Sequence, residues 1–134
     1  MKLNIARADP AGNITLLVLS PVEKPARAET AARLMGMPQF QAEQVGFRCP
    51  PQAGGDGRLE MMGGEFCGNA TRAFGMLLAR ERGGLPQARV EASGCPGLVT
   101  VDVDLEAGTA RAEMPLPLWE RRVQVLGMPG TLVH

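Results

Sequence analysis

Residues 69–82, Asn-Ala-Thr-Arg-Ala-Phe-Gly-Met-Leu-Leu-Ala-Arg-Glu-Arg, read as a helix that offers water almost no polar face. Ala70, Ala73, Phe74, Leu77 and Leu78 recur at helical spacing, and Met76 and Ala79 carry apolar surface onto the remaining sides. A run of charge comes only at Arg80-Glu81-Arg82, before Gly83-Gly84 stops the helix. Such a helix cannot simply lie on a surface. Other elements must wrap around it.

The rest of the chain supplies strands for that purpose. Lys2–Ala8 alternates, and Ile14–Leu19 is a continuous apolar run of the buried-strand kind. The turn residues of Asp9-Pro10-Ala11-Gly12-Asn13 join the two as a hairpin. Gln44–Cys49 and Arg58–Met62 read as strands flanking a Pro/Gly loop, and Ala88–Ser93, Leu98–Leu105 and Thr109–Met114 follow the helix. Glu106-Ala107-Gly108 turns the last two into a hairpin, and Val99, Val101, Val103 and Leu105 mark a half-buried face. Ala28–Met35 reads as a short helix ended by Gly36 and Pro38, and Arg121–Leu126 as a late strand. Pro129–His134 begins a further alternation and then stops, like a strand cut off or a crossing into another lobe. The expected fold is α+β: one domain over residues 1–134, a curved, mostly antiparallel sheet wrapped around one central helix.

Composition narrows the function. Fourteen basic residues balance fourteen acidic ones, so nothing draws the chain to nucleic acid or to an anionic membrane. No apolar run approaches the ~18 residues of a membrane span, and no signal peptide precedes the first strand. The three cysteines, Cys49, Cys67 and Cys95, have no short paired spacing, which argues against a disulfide framework or a zinc site and for a reducing cytoplasm. His134, the only histidine, ends the chain, so no metal site and no Cys–His pair is expected.

The chemistry concentrates just before the apolar helix. Cys67 stands at its start, followed by Gly68-Asn69. Free N–H groups and the positive end of the dipole favour a thiolate there. Thiols so placed titrate at about 3.5–7.5 instead of about 8.5. The N–H groups of Gly68 and Asn69 could also hold a carboxylate. A reactive thiol beside an anion cradle suggests proton chemistry on an amino acid.

Gly-Glu-Phe-Cys-Gly-Asn-Ala-Thr-Arg at 64–72 resembles the N-lobe signature of the diaminopimelate epimerase superfamily, amino-acid racemases and epimerases that work without pyridoxal phosphate. Gly12-Asn13 is similar to that family's turn after its first strand, and Glu43-Gln44-Val45-Gly46-Phe47 to a segment whose glutamine contacts substrate. The element order agrees along essentially the whole chain. The resemblance implies two similar lobes with an amino-acid substrate between them and one acid/base cysteine from each. Cys67 would be the thiol of this lobe, Gly68 and Asn69 would hold the α-carboxylate, and Asn13 and Gln44 would orient the substrate. Arg72 would support the helix start. No cofactor is implied. The partner is a second lobe, either a missing C-terminal half or another copy of this chain.

The sequence also departs from the pattern. Glu60-Met61-Met62-Gly63-Gly64 stands where diaminopimelate enzymes carry Asn-Ala-Asp-Gly, which points to another amino acid, histidine among the options. The methionine pair would make an apolar, adaptable wall, with one of the two facing the pocket. Cys49 and Cys95 read as structural, Asn13 equally as a turn residue and Gln44 equally as an ordinary strand residue. Glu65 receives no role. Half a site is expected to be inactive alone. The competing readings are a symmetric dimer pairing two copies of Cys67 and a carboxylate-binding module without turnover.

Overall fold

The structure, a computed structural model, describes residues 2–134; Met1 of the expected 1–134 domain lies outside the described residues. Seven strands form one sheet in simple sequence order: β1 (Ile5–Ala8), β2 (Thr15–Val18), β3 (Gln44–Cys49), β4 (Gly57–Met61), β5 (Gln87–Ala92), β6 (Leu98–Asp104) and β7 (Thr109–Ala112). Two helices interrupt them, α1 (Arg27–Met35, entered through a 3-10 turn at Lys24–Ala26) and α2 (Gly68–Glu81). The expected α+β class, with a curled sheet around one helix, is what is observed.

Helices decide where the pairing changes sense. β2 pairs parallel with β3 across α1, and β4 parallel with β5 across α2, whereas the remaining neighbours are antiparallel. A parallel pair needs a long crossover, and a helix is the usual one. The two helices cover opposite faces. α2 fills the inside of the curl against Leu17, Leu59, Val90, Val99 and Val101. α1 closes the outer face of β2 and β3 with Leu16, Val18, Val45 and Phe47. β2 is therefore buried on both sides, which explains its unbroken Thr-Leu-Leu-Val run.

The curl does not close. β1 and β7 are the two ends of the sheet. Between them lies a groove of about 310 Å3, floored by Arg72, Ala73, Met76 and Leu77 of α2. The helix is thus wrapped on all but one side, as its nearly all-round apolar surface requires.

Element ends moved by a few residues. The first strand begins at Ile5 rather than Lys2, and the seventh ends at Ala112 rather than Met114. The tail differs more. Glu120–Val125 (β8) and Met128–Val133 (β9) pair as a separate two-stranded ribbon. Leu126 and Gly127 join them, both at positive φ (50° and 76°), a turn whose twist suits a two-residue hairpin. Within Pro129–His134 the strand folds back on β8, and His134 stacks on Trp119 at 5.6 Å between ring centroids. No helix is long and apolar enough to cross a membrane.

Candidate active site

Cys67 caps α2. Its backbone is extended (φ −129°, ψ 111°), and its Sγ accepts a hydrogen bond from the Ala70 N–H at 3.4 Å. Its carbonyl accepts from the Thr71 N–H at 2.9 Å and from the Thr71 hydroxyl at 2.7 Å. The Ala70 bond satisfies one of the donors that a helix start leaves open, and the Thr71 N–H makes the first bond of the helical ladder. The N–H groups of Gly68 and Asn69 have no partner among the described residues. They are the two donors that the sequence suggested as a carboxylate cradle.

The approach to Cys67 is clamped from the neighbouring strand ends. Ser93, just after β5, donates its hydroxyl to the Glu65 carbonyl at 2.7 Å and accepts from the Met61 N–H at 2.9 Å. Beside it Gly94, at φ 70°, lies so near the Phe66 nitrogen that an added Cβ would come within 2.5 Å. Neither residue was singled out from sequence for this role.

Around the thiol, four of the five residues expected in the site form one hydrogen-bonded cluster. The Cys67 thiol donates to Gln44 Oε1 at 3.3 Å. Gln44 Nε2 donates to Asn13 Oδ1 at 3.0 Å and to Thr15 Oγ1 at 2.7 Å. Asn69 Nδ2 donates to the same Asn13 oxygen at 3.1 Å. Asn13 Nδ2 in turn donates to Glu43 Oε2 at 3.1 Å. Gly68, the fifth, is the first residue of α2, and Met114 lies over it: an added Cβ would stand 2.9 Å from the Met114 Sδ. Thr15, Glu43 and Met114 were missed as site residues. Thr15 left one trace in the sequence, a hydroxyl in an otherwise apolar strand.

Other residues fall outside this cluster. Cys49 ends β3 where Gln44 begins it, about 16 Å away at strand rise. Burial pushes its thiol above the ordinary range, an effect that the nearby Arg27 offsets in part. Cys95 sits in the β5–β6 turn and heads no helix. Met61 is buried in the core against α2, whereas Met62 is exposed, so the methionine pair is not a continuous wall. Arg72, at the helix start, lines the open groove, and its Nε is buried without a partner. Among the described residues no group of three or more His, Cys, Asp or Glu side chains could hold a metal.

A curled sheet around one helix capped by a cysteine is the single-lobe fold that the sequence led one to expect. The comparisons agree. The family model described as the histidine racemase CntK N-terminal domain matches residues 2–127. A histidine racemase of Fusobacterium nucleatum subsp. nucleatum is 34% identical over 111 residues, covering 81% of this chain and 40% of that protein. One from a second strain of that organism is 42% identical over 78 residues, covering 58% and 27%. The histidine racemase of Staphylococcus aureus is 37% identical over 105 residues, covering 72% and 37%. The chain belongs to the histidine racemase N-terminal-domain family, within the diaminopimelate epimerase superfamily. It matches between 27% and 40% of the length of these curated relatives.

Proposed function

We propose that the chain is the N-terminal lobe of a histidine racemase, with residues 1–134 as one structural unit and Cys67 as one of two opposed acid/base groups. The observation that carries this reading is the Cys67 thiol at the cap of α2, beside two unpartnered N–H groups and within a cluster of three amide side chains. Family membership and the relatives' names support histidine as the substrate.

The mechanism follows from what inversion requires. An α-proton is only weakly acidic, so the charge that develops as it leaves must be met at the carboxylate by donors already in place. The N–H groups of Gly68 and Asn69 fill that role. Asn13, Gln44 and Asn69 orient the amino acid so that its α-carbon meets Cys67. One group removes the α-proton, leaving the electron pair on carbon, and the opposed group delivers a proton to the other face. Protons balance, and no electron acceptor is needed. The opposed group is a second cysteine, supplied by a second lobe or by another copy of this chain. The lobe alone is then inactive or nearly so. Its three free cysteines suit a reducing cytoplasm.

Chiral chromatography of L-histidine incubated with the protein expressed from its entire gene tests this. Appearance of D-histidine supports the reading. Unchanged histidine with inversion of another amino acid overturns the substrate, and ligand binding without any inversion leaves only the binding module.

A further inference from the structure

The amides beside Cys67 are oriented from outside the site. Glu43 offers Asn13 a carboxylate, which accepts only, so the Asn13 NH2 must face it and the Asn13 oxygen must face inward. The Thr15 hydroxyl spends its proton on the Asn13 carbonyl at 3.0 Å, so its oxygen is left to accept from Gln44. Both constraints turn the Gln44 NH2 toward Asn13 and Thr15, and both leave Gln44 Oε1 facing Cys67. Thr15 is fully buried, and the β2–β3 register sets it directly opposite Gln44.

We infer that Thr15 and Glu43 are positioning residues which, through Asn13 and Gln44, hold Cys67 in its proton-bearing form. An amide oxygen accepts from a thiol, but toward a thiolate it would present one acceptor to another. The Ala70 N–H acts in the opposite sense on the same sulfur, at 3.4 Å against 3.3 Å for the Gln44 oxygen, so the orientation of that oxygen tips the balance under this inference. The inference deepens the racemase reading and rests on it for the use of the proton. With Cys67 protonated at rest, the opposed base takes the α-proton and leaves its electron pair on the α-carbon. That pair then takes the proton of Cys67, which becomes the thiolate.

The test needs no substrate. Alkylation of Cys67 by iodoacetamide at neutral pH is followed peptide by peptide in the mass spectrometer, on folded protein verified by circular dichroism. Thr15→Val frees the Gln44 amide and speeds alkylation about fivefold, the scale of one lost hydrogen bond, while Thr15→Ser keeps the wild-type rate. Glu43→Ala gives the same acceleration. Glu43→Gln does not, because its amide oxygen still accepts from Asn13 although the charge is gone. Wild-type rates in both Thr15→Val and Glu43→Ala overturn the inference. If Thr15→Val fails to fold, the exposed Glu43 pair decides alone. Loss of racemisation in Cys67→Ser with unchanged alkylation in these variants sinks the inference and spares the racemase. Faster alkylation in a protein that inverts no amino acid does the reverse.

Discussion

Gly75 of α2 lies directly against Val101 of β6, so closely that a Cβ at position 75 would stand 2.7 Å from Val101 Cβ. This approach lets the helix sink into the curl, and the depth of the helix sets where its cap, Cys67, meets Gln44. Alanine is the better helix former by about 1 kcal/mol. Overpacking a tight core costs about 1–3 kcal/mol. The second effect prevails here because the side chain in the way is β-branched and stiff. Gly75→Ala therefore lowers the thermal midpoint, and a rise would contradict the packing described.

Glu91 controls the loop between β3 and β4. Although it is almost fully buried, it accepts hydrogen bonds from the N–H groups of Gln52, Ala53 and Gly55 and from Arg58. The Gln52 bond first, then those of Ala53, Gly55 and Arg58, hold its carboxyl at about 2, below the ordinary 4.5, against the opposing effect of burial. A carboxyl depressed by folding stabilises above its unfolded value, and that contribution is lost as pH falls toward the folded one. The urea midpoint should therefore fall between about pH 4.5 and 2, and Glu91→Gln should flatten the fall. Parallel curves would contradict this.

Cys67 has a structural duty separable from its chemistry. Serine is a preferred N-cap, so Cys67→Ser should keep α2 and leave the urea midpoint nearly unchanged. Cys67→Val removes the acceptor for the Ala70 N–H and should cost about 1 kcal/mol. Equal stability of the two variants would show that the sulfur is no cap.

The β8–β9 ribbon is a test of domain limits. Its hydrogen bonds at residues 118–134 stay within the ribbon among the described residues, and Leu126 is 94% exposed. An isolated two-stranded hairpin is marginal in water. Removing residues 118–134 should shift the melting of the seven-stranded body by less than about 4 °C. Circular dichroism is the probe, since the sole tryptophan leaves with the ribbon. A larger loss would make the ribbon part of the core.

How much of this was legible in the sequence depended on locality. The apolar periodicity placed a helix at Asn69–Arg82, and α2 runs Gly68–Glu81 with Cys67 as its cap. Strand and turn chemistry marked all seven sheet strands within a few residues. What stayed hidden is set by register and tertiary contact. Thr15 meets Gln44 only because β2 and β3 pair parallel, a choice that no local pattern records. Glu91 lies inside the strand read at Ala88–Ser93, and its role exists only because the distant loop at 52–55 folds over it. Both strands of the ribbon were marked, but their pairing was missed because the turn puts Leu126, a residue that carries no turn signal, in the left-handed region.

The most direct measurement is exchange of the histidine α-proton in deuterium oxide, followed by proton NMR, with the protein expressed from its entire gene and with its Cys67→Ser variant. The account predicts that the wild type replaces the α-proton with deuterium and that the variant, still folded, does not. Full exchange by Cys67→Ser would contradict the assignment of Cys67 to proton transfer.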